Sequence, residues 1–151
     1  MSLRLLAEVD WPLWREARLT ALADAPDAFT ARLADWDEGG ETHWRARLAL
    51  PDAHNLVALL DGEVVGMASG TPGDGPGTRE LHSVWVSPRA RGRGVGDRLL
   101  TEVESWARRS GANRLTLAVL PANAPALTLY RRHGYAVVAE GGRETVMAKE
   151  L

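Results

Sequence analysis

The sequence predicts an α/β fold, a central mixed β-sheet with helices on both faces. Three observations predict it. Strand-like and helix-like periodicities alternate in the order β-α-α-α-β-β-β-α-β-α-β-β. Asp61-Gly62, between two apolar runs, is a strong hairpin signal. Residues 114–120 are largely apolar, as a strand covered on both faces should be. With 151 residues, 45% of them apolar and 25% charged, the chain is expected to form one domain over 1–151 with a sizeable core.

Residues 3–9 read as the first strand. Asp10 is placed to cap a helix reaching about Ala23, with Pro12 in a first turn that tolerates it. Trp11, Trp14, Leu19 and Leu22 are its apolar positions, and Asp24-Ala25-Pro26-Asp27 ends it. Short helical stretches follow over 29–37 and 42–50, divided by Gly39-Gly40. The hairpin pairs 54–60 with 63–70, and 71–78 reads as a loop rich in glycine and proline. Residues 80–86 form a strand closed by Ser87-Pro88, and a helix is expected over 97–110. After the strand at 114–120, Asn123 caps a helix through His133 that Gly134 stops. Residues 135–140 and 144–151 are strands joined across Gly141-Gly142.

The segment most charged with chemistry lies between the strand at 80–86 and the next helix: Arg89-Ala90-Arg91-Gly92-Arg93-Gly94-Val95-Gly96. Three glycines at alternate positions leave little bulk, so the backbone can approach a ligand closely. The N–H groups and the dipole of the following helix favour negative charge there. Together with the arginines, these features suit a pyrophosphate. The dinucleotide fingerprint fails because Asp97 stands at the third glycine position, and no Gly-Lys-Ser/Thr completes a P-loop. What remains is R-x-x-G-x-G, from Arg91 through Gly94 to Gly96.

Upstream of that motif stands Val84-Trp85-Val86-Ser87-Pro88. Downstream stand Asn123, Ala126, Leu129, Tyr130, Gly134 and Tyr135, spaced N-x-x-A-x-x-L-Y-x-x-x-G-Y. Over about residues 55–140 the combination resembles the GNAT superfamily of acyl-CoA-dependent N-acetyltransferases. The resemblance implies the GNAT fold, with the central mixed sheet splayed between strands 4 and 5 and acetyl-CoA in the gap. It implies cofactor contacts from Val84, Trp85, Val86, Arg91, Gly92, Arg93, Gly94, Val95, Gly96, Asp97, Asn123 and Tyr130. It assigns Tyr130 the role of general acid, since a phenol is a neutral proton donor near pH 7.

Glu80 starts the motif strand, and simple alternation puts Glu80, His82, Val84 and Val86 on one face. Glu80 is the first candidate for the general base and His82 its rival, an imidazole that titrates near neutrality. The chain has no cysteine, so the acceptor amine is expected to attack the thioester directly. His43, His54 and His133 show no metal-ligand spacing, and no metal is expected.

Charge is divided unevenly along the chain. Residues 1–75 hold six arginines against thirteen acids, whereas 76–151 hold twelve basic residues against seven acids. The basic half carries the glycine loop and suits a polyanionic cofactor rather than a nucleic acid. No apolar run of about 18 residues occurs, and Met1 to Leu6 is too short for a signal peptide; no membrane partner and a cytoplasmic location are expected. The expected acceptor is the primary amine of a small molecule, with a protein N-terminus or lysine, or a non-catalytic acyl-CoA-binding module, as the alternatives. A homodimer is left open. For the acceptor wall the candidates are Trp11, Trp14, Phe29 and Trp36, with Trp44 and the nearby acids Asp24, Asp27, Asp35, Asp37, Glu38 and Glu41. Tryptophan faces amid carboxylates would favour a cationic amine.

Overall fold

The computed structural model describes residues 1–24, 40–140 and 142–151. A seven-stranded sheet organises them: β1 (Ser2–Leu5), β2 (His54–Leu60), β3 (Glu63–Pro72), β4 (Thr78–Val86), β5 (Arg114–Val119), β6 (Ala136–Ala139) and β7 (Thr145–Glu150). Their spatial order is β1-β2-β3-β4-β5-β7-β6. Only β4 and β5 pair in parallel; every other neighbour is antiparallel. Among the described residues the helices are α1 (Trp11–Asp24), α2 (Gly40–Leu48), α3 (Val95–Arg109) and α4 (Ala124–Arg132).

Alternation along the strands feeds two cores. Leu56, Ala58, Val65 and Ala68 pack with Val95, Leu99, Leu100 and Val103 of α3. Val57 and Met67 instead join Trp14, Ala17 and Ala21 of α1 and Trp44 and Leu48 of α2. The sheet is thus covered on both faces, as its apolar runs require. Gly66 lets α3 come close: a Cβ there would stand 3.0 Å from Val95 Cγ1 and 3.1 Å from Leu99 Cδ1. A buried polar link ties α3 to the far edge. Glu104, 5% exposed, accepts from the Tyr135 hydroxyl at 2.9 Å and from Lys149 Nζ at 3.0 Å.

Several expected boundaries move, each for a local reason. The first strand stops at Leu5, and Glu8–Asp10 form a 3-10 turn. The Asp10 carboxylate accepts from Ala7 N–H at 2.9 Å and from Arg4 Nη2 at 2.6 Å, so it closes this turn instead of capping α1. The expected loop at 71–78 shrinks to 73–77, because Thr71 and Pro72 extend the ladder by pairing with Glu80 and Arg79. Helix α3 begins at Val95, two residues early, because Gly94 takes a left-handed φ of 78° at its N-cap. The helical stretch expected at 29–37 lies outside the described residues, as does Gly141 of the last turn. No described helix is long and apolar enough to cross a membrane.

Candidate active site

The decisive feature is the parting of β4 from β5. They pair only at Thr78↔Arg114, Arg79↔Leu115 and Glu80↔Thr116. Beyond Glu80, none of the described β5 residues pairs with β4, and the edge of β4 from Leu81 to Val86 faces an opening. On its other edge β4 carries a bulge: Met67 pairs with Trp85 but Ser69 with His82, so three steps on β4 match two on β3. Ser83 takes up the extra residue at φ 57°, unusual for a residue with a side chain. This overturns the expected alternation. Leu81, Val84 and Val86 belong to the α3 core, while His82 and Glu80 follow the register of Trp85 on the opposite face.

Two clefts meet at this opening. The larger, of about 690 Å³, is lined by Val84, Trp85, Val86, Arg91, Gly92, Gly94, Val95, Gly96, Asp97, Asn123 and Tyr130, together with Asp24, Ala90, Pro125, Ala126, Leu129 and Arg132. Its floor is the start of α3. Gly94 offers no side chain to cap that helix, so the first-turn N–H groups have no side-chain cap. Gly92, also at φ 78°, adds a second left-handed turn of backbone. Uncapped N–H groups at the positive end of a 15-residue helix form a ready anion site. The residues present therefore fit the diphosphate of a coenzyme.

The arginines of the loop divide their work. Arg91 donates from Nε to the Val86 carbonyl at 3.1 Å and from Nη2 to Asp24 at 3.2 Å, so it braces the loop at the cleft wall. Asp24 also accepts from Trp85 Nε1 at 3.0 Å. Arg89 pairs with Glu63, and Arg93 is exposed; neither lines the cleft. Asp97 in the first turn of α3 accepts from Arg132 Nη2 and bonds His133 Nε2, both at 2.7 Å. These two partners hold its carboxyl below the usual carboxylate range.

The smaller cleft, of about 290 Å³, is lined by Arg18, Leu81, His82, Ser83, Val84, Ala118, Val119, Asn123, Tyr130 and Glu144. Val84, Asn123 and Tyr130 line both clefts. Asn123 Oδ1 accepts from Ala126 N–H at 3.3 Å, fixing the start of α4. Tyr130, 7% exposed, stacks edge-on to Tyr135 with centroids 5.9 Å apart. Burial pushes its phenol well above the ordinary value, so it stays protonated at any physiological pH. His82 lines the smaller cleft and Glu80 does not; their Nε2 and Oε2 are 3.1 Å apart. Desolvation lowers the His82 pKa and outweighs the upward pull of Glu80, while Arg47 and Arg18 push it down further.

Trp11, Trp14 and Trp44, the described part of the expected aromatic wall, line neither cleft. Trp14 and Trp44, 1% and 0% exposed, are core residues, and Trp11 packs against the same core. The faces of Trp11 and Trp14 are already covered by the chain's own cations, Arg45 at 6.0 Å and Arg47 at 5.5 Å from the ring centroids. Of the acids, Asp24 holds Trp85 and Arg91, and Glu41 pairs with Arg45 at 2.9 Å. Phe29, Trp36, Asp27, Asp35, Asp37 and Glu38 lie outside the described residues. Sequence reasoning missed Arg18, Ser83, Glu144 and Arg132, and named Asp24 for the acceptor wall rather than for the larger cleft. Only Arg132, inside the second motif, carried a local signal.

The sequence profile of the acetyltransferase (GNAT) family matches residues 11–135. The chain belongs to this family. Among its relatives, the IAA acetyltransferase of Azospirillum brasilense is 38% identical over 89 residues, 59% of this chain and 58% of that protein. The L-amino acid N-acetyltransferase AaaT of Escherichia coli strain K12 is 33% identical over 107 residues, 65% of this chain and 63% of that one. The alignments thus span less than two thirds of these relatives. A solved structure of YncA from Salmonella typhimurium, described as a putative acetyltransferase with its cofactor acetyl-CoA, superimposes with a TM-score of 0.76 at 25% identity. The match covers 99% of this chain and 93% of that one. The fold is therefore shared with that structure.

Proposed function

We propose that this GNAT protein transfers the acetyl group of acetyl-CoA to the primary amine of a small molecule by direct attack. One observation carries the reading: a cleft suited to a coenzyme and a second cleft meet at Val84, Asn123 and Tyr130, where β4 leaves β5. The relative named for L-amino acids and the acetyl-CoA found in YncA support it.

In this reading the coenzyme diphosphate rests on the first turn of α3 and the thioester lies along Val84 to Val86. Backbone N–H groups of β4 beyond Glu80, with no β5 partner, polarise the carbonyl. His82, kept neutral near pH 7 by its lowered pKa, takes the proton the attacking ammonium must lose. Glu80 positions the ring from behind. The nitrogen forms its bond to the acetyl carbon, the carbon–sulfur bond breaks, Tyr130 gives its proton to the departing thiolate, and the second proton leaving the new amide nitrogen restores the phenol. This order reverses the sequence-based preference for Glu80 as the base, because His82 is the one that reaches the cleft.

The test combines calorimetry of acetyl-CoA binding with a thiol-release assay on a panel of amines and peptides. Micromolar binding and amine-dependent thiol release are expected. Binding without release for any amine or peptide would leave an idle binding module. Release with peptides alone would make a protein the acceptor.

A further inference from the structure

The smaller cleft has a chemistry that the cofactor reading does not use. Arg18 reaches it from α1 and is 7% exposed, a buried guanidinium in a cleft wall. Its Nη1 donates to Ser83 Oγ at 3.2 Å, on the bulge of β4. Arg47 of α2 stands behind it. Its Nη1 and Nη2 donate to the neutral oxygens of Asn55 and Ser69, at 3.1 and 2.9 Å. Ser69 pairs with His82 across the β3–β4 ladder, so both arginines lie beside the proposed base. On another side of the cleft, just before β7, stands Glu144. The cleft therefore joins a buried cation, an imidazole and a carboxylate within about 290 Å³.

We propose that the acceptor is a small amine carrying a carboxylate next to the amino group, a free α-amino acid, and that Arg18 reads the carboxylate. This rests on the acetyltransferase reading and names its substrate class. A guanidinium fork matches a carboxylate in two parallel hydrogen bonds, about twice as strong as neutral ones. Burial and the neighbouring Arg47 lower the Arg18 pKa to about 10, so a carboxylate brought to it favours its charged form. A cationic side chain on the acceptor would do the opposite. With the carboxylate on Arg18, the adjacent ammonium falls among His82, Glu144 and Tyr130, where it must lose its proton. A peptide N-terminus has an amide at that position and forfeits the ion pair.

The experiment compares kcat/KM for three matched acceptors: L-phenylalanine, L-phenylalaninamide and phenethylamine. The leucine series is run in parallel. At neutral pH the amide has more of its amine unprotonated, so a preference for the acid is the harder result to obtain. The wild type should prefer the acid over the amide by at least about tenfold, the scale of one charge-assisted hydrogen bond. In Arg18→Met that ratio should fall to about one, through a raised KM for the acid. Arg18→Lys should restore part of it. A ratio measured within one variant does not depend on how much of that variant is folded. Equal or better turnover of the amide or the amine, an Arg18→Met ratio equal to wild type, or no acetylation of any α-amino acid would overturn the proposal. Failure of acetyl-CoA to bind by calorimetry would instead strike the acetyltransferase reading itself.

Discussion

The two clefts are built in different ways. The larger cleft, the proposed coenzyme site, comes mostly from contiguous sequence: a strand end, a glycine turn and the first turn of α3, closed by α4. Its chemistry is mostly backbone, supplied by N–H groups and by left-handed glycines. The smaller cleft, the proposed acceptor site, gathers Arg18 of α1, His82 and Ser83 of β4, Ala118 of β5 and Glu144 before β7, and its polar chemistry comes from side chains. Backbone sites need fixed residue types at fixed spacing, whereas side-chain sites need only that scattered positions converge. One cleft can therefore stay constant while the other changes its partner.

Tyr130 and His82 test the junction, and there the largest effects are expected. Tyr130→Phe removes the proton donor and keeps the ring. Turnover should fall by about 10²-fold with acetyl-CoA affinity nearly unchanged. A wild-type rate would make this ring a packing element of both clefts. His82→Ala should cost a similar factor of about 10² at pH 7.

Glu80→Gln should cost less, about tenfold, and its signature lies in pH. The rate should fall as acid protonates His82, below the ordinary imidazole value because its pKa is lowered. Glu80 pulls that pKa up, so removing its charge should move the acid limb to still lower pH. Arg47 pushes the pKa down, so Arg47→Met should move the limb to higher pH. A limb that stays in place in both variants would show that His82 is not the titrating base.

Gly94→Val probes the backbone cleft alone. A Cβ at Gly94 meets no atom within 4 Å, so the penalty is conformational: φ is 78°, and a β-branched residue resists it. Straightening the turn would withdraw the α3 N–H groups. Acetyl-CoA affinity should drop roughly tenfold, for about 1–3 kcal/mol of strain. Acceptor selectivity should not change. Affinity equal to wild type would locate the diphosphate elsewhere.

Asp24 is the one residue of the acceptor-side helix that enters the coenzyme cleft, through Trp85 and Arg91. Asp24→Asn keeps the acceptor oxygen for Trp85 and weakens the exposed pair with Arg91. The change in acetyl-CoA affinity should be smallest here, within about threefold, as for a solvent-screened ion pair. A larger loss would mean that the two clefts are coupled through this contact.

The same contrast explains what could be read in the chain. Strand periodicity, the Asp61-Gly62 turn and the two motifs disclosed the sheet, its described helices and most of the lining of the larger cleft, because each is a local pattern. The bulge at Ser83 was not legible: one extra residue on β4 shows only against the register of β3, and it moved Val84 and Val86 away from His82. Arg18 looked like an ordinary helix residue, since its meaning comes from Ser83, 65 positions away. Trp11 and Trp14 misled because aromatic faces beside charge were read as a site, while their cations are the chain's own Arg45 and Arg47.

The polar link between Glu104, Tyr135 and Lys149 bears on self-modification. Lys149 is the only lysine in the sequence, beside seventeen arginines, and its amine is held against the buried Glu104 carboxylate. Lysine side chains are the nucleophiles that a reactive acyl donor labels by accident, and guanidiniums, protonated at all working pH, are not. A protein that binds a thioester as proposed here thus carries one side-chain amine, already engaged, and the donor is kept for the guest.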